Sequence, residues 1–202
     1  MKNIKIMGML LGGLMVLSSL SSCDDDKPEV LKAKSAKADY VVSLSQDLLD
    51  AATVTVYYLD SNGNQAQEVV TKTSWRKTVS FTALPAKAGF CVQPALKGQP
   101  TQEEYKVEAS GQMIVTVLDQ NQNPIGSPFT GNKKEVKGEL GPDYLGQYLT
   151  RISSRLNEGK AVAADGTFSD LAINWGGNAE TEDPNRDTEV TTDGATGTTR
   201  AF

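Results

Sequence analysis

The sequence predicts a mainly β protein, an antiparallel β-sandwich with one amphipathic helix. Three observations predict it. Several short runs alternate apolar and polar residues with a period of two, as strands with one buried face do. Clusters of Asp, Asn, Gly, Ser and Pro interrupt them about every ten residues, the spacing of hairpin-linked strands in a sandwich. One stretch, near 143–158, instead carries its apolar residues at helical spacing.

The pattern opens with Tyr40-Val41-Val42-Ser43-Leu44, followed by a short turn that holds Leu48 and Leu49. From Thr53 to Leu59, Val54, Val56 and Tyr58 share one face and Thr53, Thr55 and Tyr57 the other, which makes a half-buried strand. Asp60-Ser61-Asn62-Gly63-Asn64 supplies residues that tolerate positive φ, and Glu68 to Thr71 returns from that hairpin turn. Lys77 to Thr82 alternates with Val79 and Phe81 inward, Leu84-Pro85 closes the strand, and Gly89 to Gln93 forms the next. Tyr105 to Ala109 and Gln112 to Leu118 read as two strands, or as one interrupted at Ser110-Gly111.

Leu118-Asp119-Gln120-Asn121-Gln122-Asn123 echoes Leu59-Asp60-Ser61-Asn62-Gly63-Asn64. Two hairpins meeting the same turn requirement explain the echo better than a duplicated unit. Between Asp143 and Glu158 the residues Leu145, Tyr148, Leu149, Ile152 and Leu156 form one stripe, which Pro142 or Asp143 opens and Gly159 closes. Gly146 inside it costs about 1 kcal/mol against Ala. The stripe is expected to cover an open end or edge of the sandwich. After the Ala164-Asp165-Gly166-Thr167 turn, Leu171 to Trp175 reads as a last strand.

The N terminus has a different grammar. Lys2 and Lys5 lead into an apolar run from Ile6 to Leu17 that empties into small polar residues. That is the architecture of a secretory signal peptide, and the run is shorter than the roughly 20 apolar residues a membrane-spanning helix needs. Leu20-Ser21-Ser22-Cys23 follows, with an aliphatic residue three positions before the cysteine and small residues between.

This segment resembles the lipobox of bacterial lipoproteins. The resemblance implies cleavage between Ser22 and Cys23, a diacylglyceryl group on the Cys23 thiol, and acylation of the new amino group. Each buried CH₂ contributes about 0.8 kcal/mol and one chain alone holds marginally, so two or three on one residue anchor permanently. Asp24-Asp25-Asp26 resembles the acidic export signal of surface lipoproteins in Bacteroidetes-type bacteria, which implies a surface-exposed place on the outer membrane. In other Gram-negative bacteria an Asp beside the lipidated Cys marks inner-membrane retention, and three consecutive acids exceed what that signal needs. A solvated acidic spacer is the plain alternative. The chain as a whole resembles small cell-envelope lipoproteins of such bacteria, with an immunoglobulin-like or transthyretin-like sandwich.

The expected organisation is a signal peptide over 1–22, a flexible polar tether over 23–37, the sandwich over 38–175, and a disordered acidic tail over 176–202. Losing residues 1–22 takes the formal charge of this 202-residue chain from −5 to −7, because two lysines leave and no acid does. An acidic chain with no long basic cluster repels phosphate backbones, so nucleic acid is not an expected partner.

The sequence contains no histidine, which removes Ser/His/Asp and Cys/His nucleophiles and imidazole metal sites together. With Cys23 acylated, Cys91 is the remaining thiol, and an internal disulfide is impossible. Cys91 faces away from Phe90 and Val92 and reads as a small buried residue. Asp60, Asn62 and Asn64 have the spaced oxygens of a calcium loop, but Thr71 stands where the twelfth-position acid belongs, so a turn is expected, with no metal and no cofactor. Trp75 and Trp175 are the candidates for stacking on sugar rings, with Trp175 at the junction with the tail.

The function expected is a lipid-anchored, non-catalytic binding or interaction module, accessory to a surface complex for glycan capture or adhesion. Its partners are the membrane, through Cys23, and a glycan or surface protein complex. Two alternatives stay open: a carboxylate-dependent hydrolase, which needs two acids about 5–9.5 Å apart, and a structural subunit of a fimbria-like assembly.

Overall fold

The computed structural model describes residues 32–176. The segment expected to be a signal peptide, with Ser22, Cys23, Asp24, Asp25 and Asp26, and the expected tail beyond residue 176 lie outside the described residues.

The fold is the antiparallel β-sandwich expected. One sheet holds β1 (Ser35–Leu44), β4 (Ser74–Phe81), β6 (Tyr105–Leu118), β7 (Phe129–Thr130) and β8 (Lys134–Leu140). The other holds β2 (Ala52–Leu59), β3 (Gln65–Val70), β5 (Ala86–Leu96), β9 (Asn157–Val162) and β10 (Phe168–Asp170). The first sheet is ordered β4-β1-β6, and β8 and β7 pair with successive lengths of β6. The second is ordered β10-β9-β5-β2-β3.

The period of two sorts side chains as the sequence indicated. Val54, Val56 and Tyr58 of β2, Val79 and Phe81 of β4, and Val107, Met113, Val115 and Val117 of β6 are all buried between the sheets. β6 is one continuous strand through Ser110-Gly111, and a Cβ on Gly111 would meet the Phe90 ring at 2.7 Å, so glycine there makes room for the core. Tyr40 joins the layers. Its hydroxyl accepts the Gly89 amide at 3.2 Å across the core, and burial raises its pKa well above a free phenol's.

The sequence under-read the first element. β1 begins at Ser35, inside the stretch assigned to the tether, because Ala36 and Ala38 are small enough to continue the inward face of Tyr40 and Val42. Leu48 and Leu49 lie on a short helix, α1 (Gln46–Ala51), whose amide at Leu48 is capped by the Ser45 hydroxyl.

The apolar stripe forms α2 (Leu145–Arg155), preceded by a 3₁₀ turn at Pro142–Tyr144. Leu145, Leu149, Ile152 and Leu156 are buried in the common core. Each such side chain contributes about 1.5–3 kcal/mol. Eleven residues are too few to be helical alone, so packing holds this helix. It lies where β9 runs out along β5: their pairing ends at Cys91 opposite Asn157, and the next free amide, Val92, donates to the Leu156 carbonyl.

The two echoing turns share one geometry. Asp60 Oδ1 accepts the Asn62 and Asn64 amides at 2.8 and 2.9 Å, and Asp119 Oδ1 accepts those of Asn121 and Asn123 at 2.7 and 2.8 Å. The fourth residue, Gly63 or Gln122, has positive φ in both. In each turn one carboxylate oxygen of the leading Asp accepts two backbone amides of the turn itself.

These turns, with 82–85 and 163–167, gather at the end of the sandwich where β1 begins. α1, residues 97–104 and the 3₁₀ turn gather at the far end.

One expected strand is absent. Residues 171–175 join no ladder and instead cross the outer face of the second sheet.

Candidate functional site

The stacking platform expected on Trp75 and Trp175 is corrected by their burial. Trp175 is 0 % exposed, packed against Leu59 and Cys91, with its Nε1 donating to Asn157 Oδ1 at 3.0 Å. Trp75 is 9 % exposed, its ring centroid 5.9 Å from that of Tyr58 and its Nε1 donating to Glu68. An indole covered by protein has no face left for a pyranose. Cys91 is buried as expected, and burial pushes its thiol up to about 11, which makes it a poor nucleophile.

The far end of the sandwich holds a cleft of about 250 Å³, with Asp50 and Ala51 on one side and Lys97 to Gln102 and Tyr105 on the other. Its rim is polar and its loop is held. The Tyr105 hydroxyl accepts the Thr101 and Gln102 amides at 2.8 and 3.0 Å, and Lys97 donates to the Leu49 carbonyl. Lys106 N donates to Asp47 Oδ2, and Glu108 N to the Ser45 hydroxyl, so α1 is pinned to β6. The walls of the cleft are therefore held in place by the chain's own hydrogen bonds. A second cleft of about 360 Å³ lies among turns 60–64 and 82–87 at the opposite end, with Lys87 as its one ionisable side chain.

Sequence reasoning gave Gly98 to Gln102 no role. The signal was there in outline, since a polar Gly/Pro loop between two long strands is where binding groups are placed on a rigid scaffold.

Two carboxylates sit at the open sides, between the sheet edges. Glu68 of β3 accepts Tyr58 Oη at 3.1 Å, Trp75 Nε1 at 2.9 Å and Lys77 Nζ at 2.5 Å. These bonds, the Lys77 one foremost, hold its carboxyl below the usual range and raise the Lys77 ammonium in return. Glu158 of β9 lies against Gly131, with Oε2 buried and without a hydrogen-bond partner among the described residues. Desolvation pushes its carboxyl up, against the pull of Lys134 and Lys160. Lys160 is paired with Asp170 of β10, whose own carboxyl that contact lowers.

Among the described residues no three His, Cys, Asp or Glu side chains gather as a metal site, and no helix is long and apolar enough to cross a membrane. No model of a known protein family matches the chain, and no curated protein matches it.

Proposed function

We propose that the chain is a lipid-anchored cell-envelope protein whose sandwich is a non-catalytic binding module. It is held to the outer membrane through Cys23 and exposed at the surface by Asp24-Asp25-Asp26. The observation that carries this reading is Leu20-Ser21-Ser22-Cys23 at the end of a short apolar run, twelve residues before the first strand. β1 starts at the end of the sandwich opposite the 97–105 cleft.

The ligand class this supports is a neutral, polyhydroxylated one such as a glycan. Asp50, Gln99, Thr101 and Gln102 offer the carboxylate, amide and hydroxyl groups that pair with sugar hydroxyls.

Two measurements test the reading. Labelled palmitate is expected in the wild-type chain and absent from Cys23→Ala, which leaves the membrane fraction. Asp50→Ala combined with Gln102→Ala is expected to lower binding on a glycan array at least about tenfold. A Cys23→Ala chain still held in the envelope refutes the anchor, and an array blank for the wild type refutes the glycan.

A second reading, a carboxylate-dependent hydrolase, is supported by one contrast. Glu158, with its Oε2 buried beside Gly131, and exposed Asp170, paired with Lys160, are neighbouring acids in unlike surroundings, as an acid and its partner carboxylate need to be. Hydrolysis of a glycoside panel that Glu158→Gln abolishes supports it, and no turnover of any member refutes it.

A further inference from the structure

Residues 171–176 leave β10 and cross the second sheet as an extended segment laid on its outer face. Leu171, Ile173 and Trp175, spaced by two, pack with Tyr57, Leu59 and Cys91 into a small core apart from the one between the sheets.

The sheet is shaped to receive them. Gly89 and Gly159 stand opposite each other in the β5–β9 register. A Cβ on either would collide with the Ile173 side chain, and one on Gly159 also with the Leu171 carbonyl. Two facing glycines therefore clear the floor for this segment.

Its backbone is recognised as well as its side chains. The Leu171 amide donates to the Gly159 carbonyl at 3.1 Å. The Gln65 side chain then acts as a neighbouring strand would, its Nε2 donating to the Asn174 carbonyl at 2.5 Å and its Oε1 accepting the Gly176 amide at 2.9 Å. The Asn157 side-chain oxygen accepts the indole N–H. A floor cleared at two glycines and apolar at Tyr57, Leu59 and Cys91, two backbone-reading groups and one indole acceptor make a groove built for an extended peptide with apolar residues at alternate positions and Trp at the last.

We propose that this outer face is a peptide-docking groove, filled in the isolated chain by its own residues 171–176 and able to take the same segment from a second copy of the chain. The fit to a copy is by identity, since every copy carries both groove and segment. The segment's link to the body is β10, a three-residue ladder, so little pairing resists its departure. In dilute solution its own segment wins, because a tether of this kind supplies an effective concentration of about 1 mM.

Cys91, beneath the segment, reports occupancy. In the full chain carrying Cys23→Ser it is the single thiol, and in this background it is expected to react slowly with a thiol reagent. Trp175→Ala is expected to raise the labelling rate at least about 100-fold without loss of the far-ultraviolet β signal. A synthetic peptide of residues 170–176 at about 1 mM then restores protection, and the same peptide with Ala for Trp does not.

The second copy is tested by mixing. A chain with Gly159→Val and Cys91→Ser has a blocked groove and a released segment. It is expected to protect Cys91 of the Trp175→Ala chain and to yield a species of twice the mass. Persistent inertness of Cys91 in folded Trp175→Ala overturns the groove, as does failure of the peptide. Rescue by peptide without rescue by the blocked chain overturns the second copy as occupant. If Trp175→Ala does not fold, Gln65→Ala replaces it, with an expected rise of about tenfold, because it removes only exposed amide contacts.

Discussion

Each open side of the sandwich carries a glutamate between the sheet edges, Glu68 on β3 and Glu158 on β9, and the two carboxylates meet different surroundings. Around Glu68 the donors come from both sheets, Tyr58 from the second and Trp75 and Lys77 from the first, so one carboxylate ties the two edges together. Around Glu158 the cations are engaged elsewhere. Lys134 donates to the Asn157 carbonyl at 2.5 Å, and Lys160 is paired with Asp170 and stands 4.5 Å over the Phe129 ring. Charge nearby is therefore not the same as charge satisfied. A carboxylate with aimed donors is favoured in its ionised form and clasps, whereas one with busy neighbours gives up its proton less readily.

The largest expected effect comes from taking the ring out of the satisfied side. Trp75→Ala removes a buried indole and one Glu68 donor, and is expected to cost about 3–5 kcal/mol in denaturant unfolding. Glu68→Gln keeps the shape and removes the charge. The Glu68 side chain is 39 % exposed, so the charge-assisted bonds are discounted and the cost is about 1 kcal/mol. The sign with pH follows from a lowered carboxyl. Its stabilisation is complete above the ordinary value of 4.5 and is lost as pH falls through the lower folded value. The wild type is expected to lose stability on acidification over that range more steeply than Glu68→Gln. Parallel curves would mean that the clasp contributes nothing.

Neither side was visible in the sequence, and the reason is register. Glu68, Tyr58, Trp75 and Lys77 come from three strands and meet only because Val56 pairs with Glu68 and β3 turns sharply into β4. The elements themselves were legible where one periodicity ran unbroken, as in Val54-Thr55-Val56-Tyr57-Tyr58 or the Leu145-to-Leu156 stripe, because spacing there follows directly from backbone geometry. β8 and β9 were passed over since Lys134 to Leu140 and Asn157 to Val162 alternate charged with small residues and offer few apolar markers. Leu171-Ala172-Ile173-Asn174-Trp175 shows the limit most clearly. Its alternation is real, but a segment lying on a sheet and a strand within one bury alternate residues alike. Periodicity reports burial and is silent on where the backbone hydrogen bonds go. The proposed lipid anchor is the converse case, since Leu20-Ser21-Ser22-Cys23 is read from sequence alone.

The smallest expected effect, and the one that most sharpens the contrast, lies on the unsatisfied side. A raised carboxyl means that the folded chain keeps a proton which the unfolded chain has already lost above 4.5. Stability therefore falls as pH rises from 4.5 through the folded value of Glu158, opposite in sign to Glu68. Glu158→Gln cannot titrate and is expected to flatten that fall. Gly131→Ala is expected to flatten it by another route, since its Cβ would stand 2.7 and 2.9 Å from the two Glu158 oxygens and turn the flexible carboxylate out to water. Both variants should differ from wild type by less than about 1 kcal/mol at neutral pH, with melting temperature against pH as the readout. A wild-type curve as flat as theirs would mean that Lys134 or Lys160 turns to meet Glu158 in solution, and the two sides would then be closed in the same way.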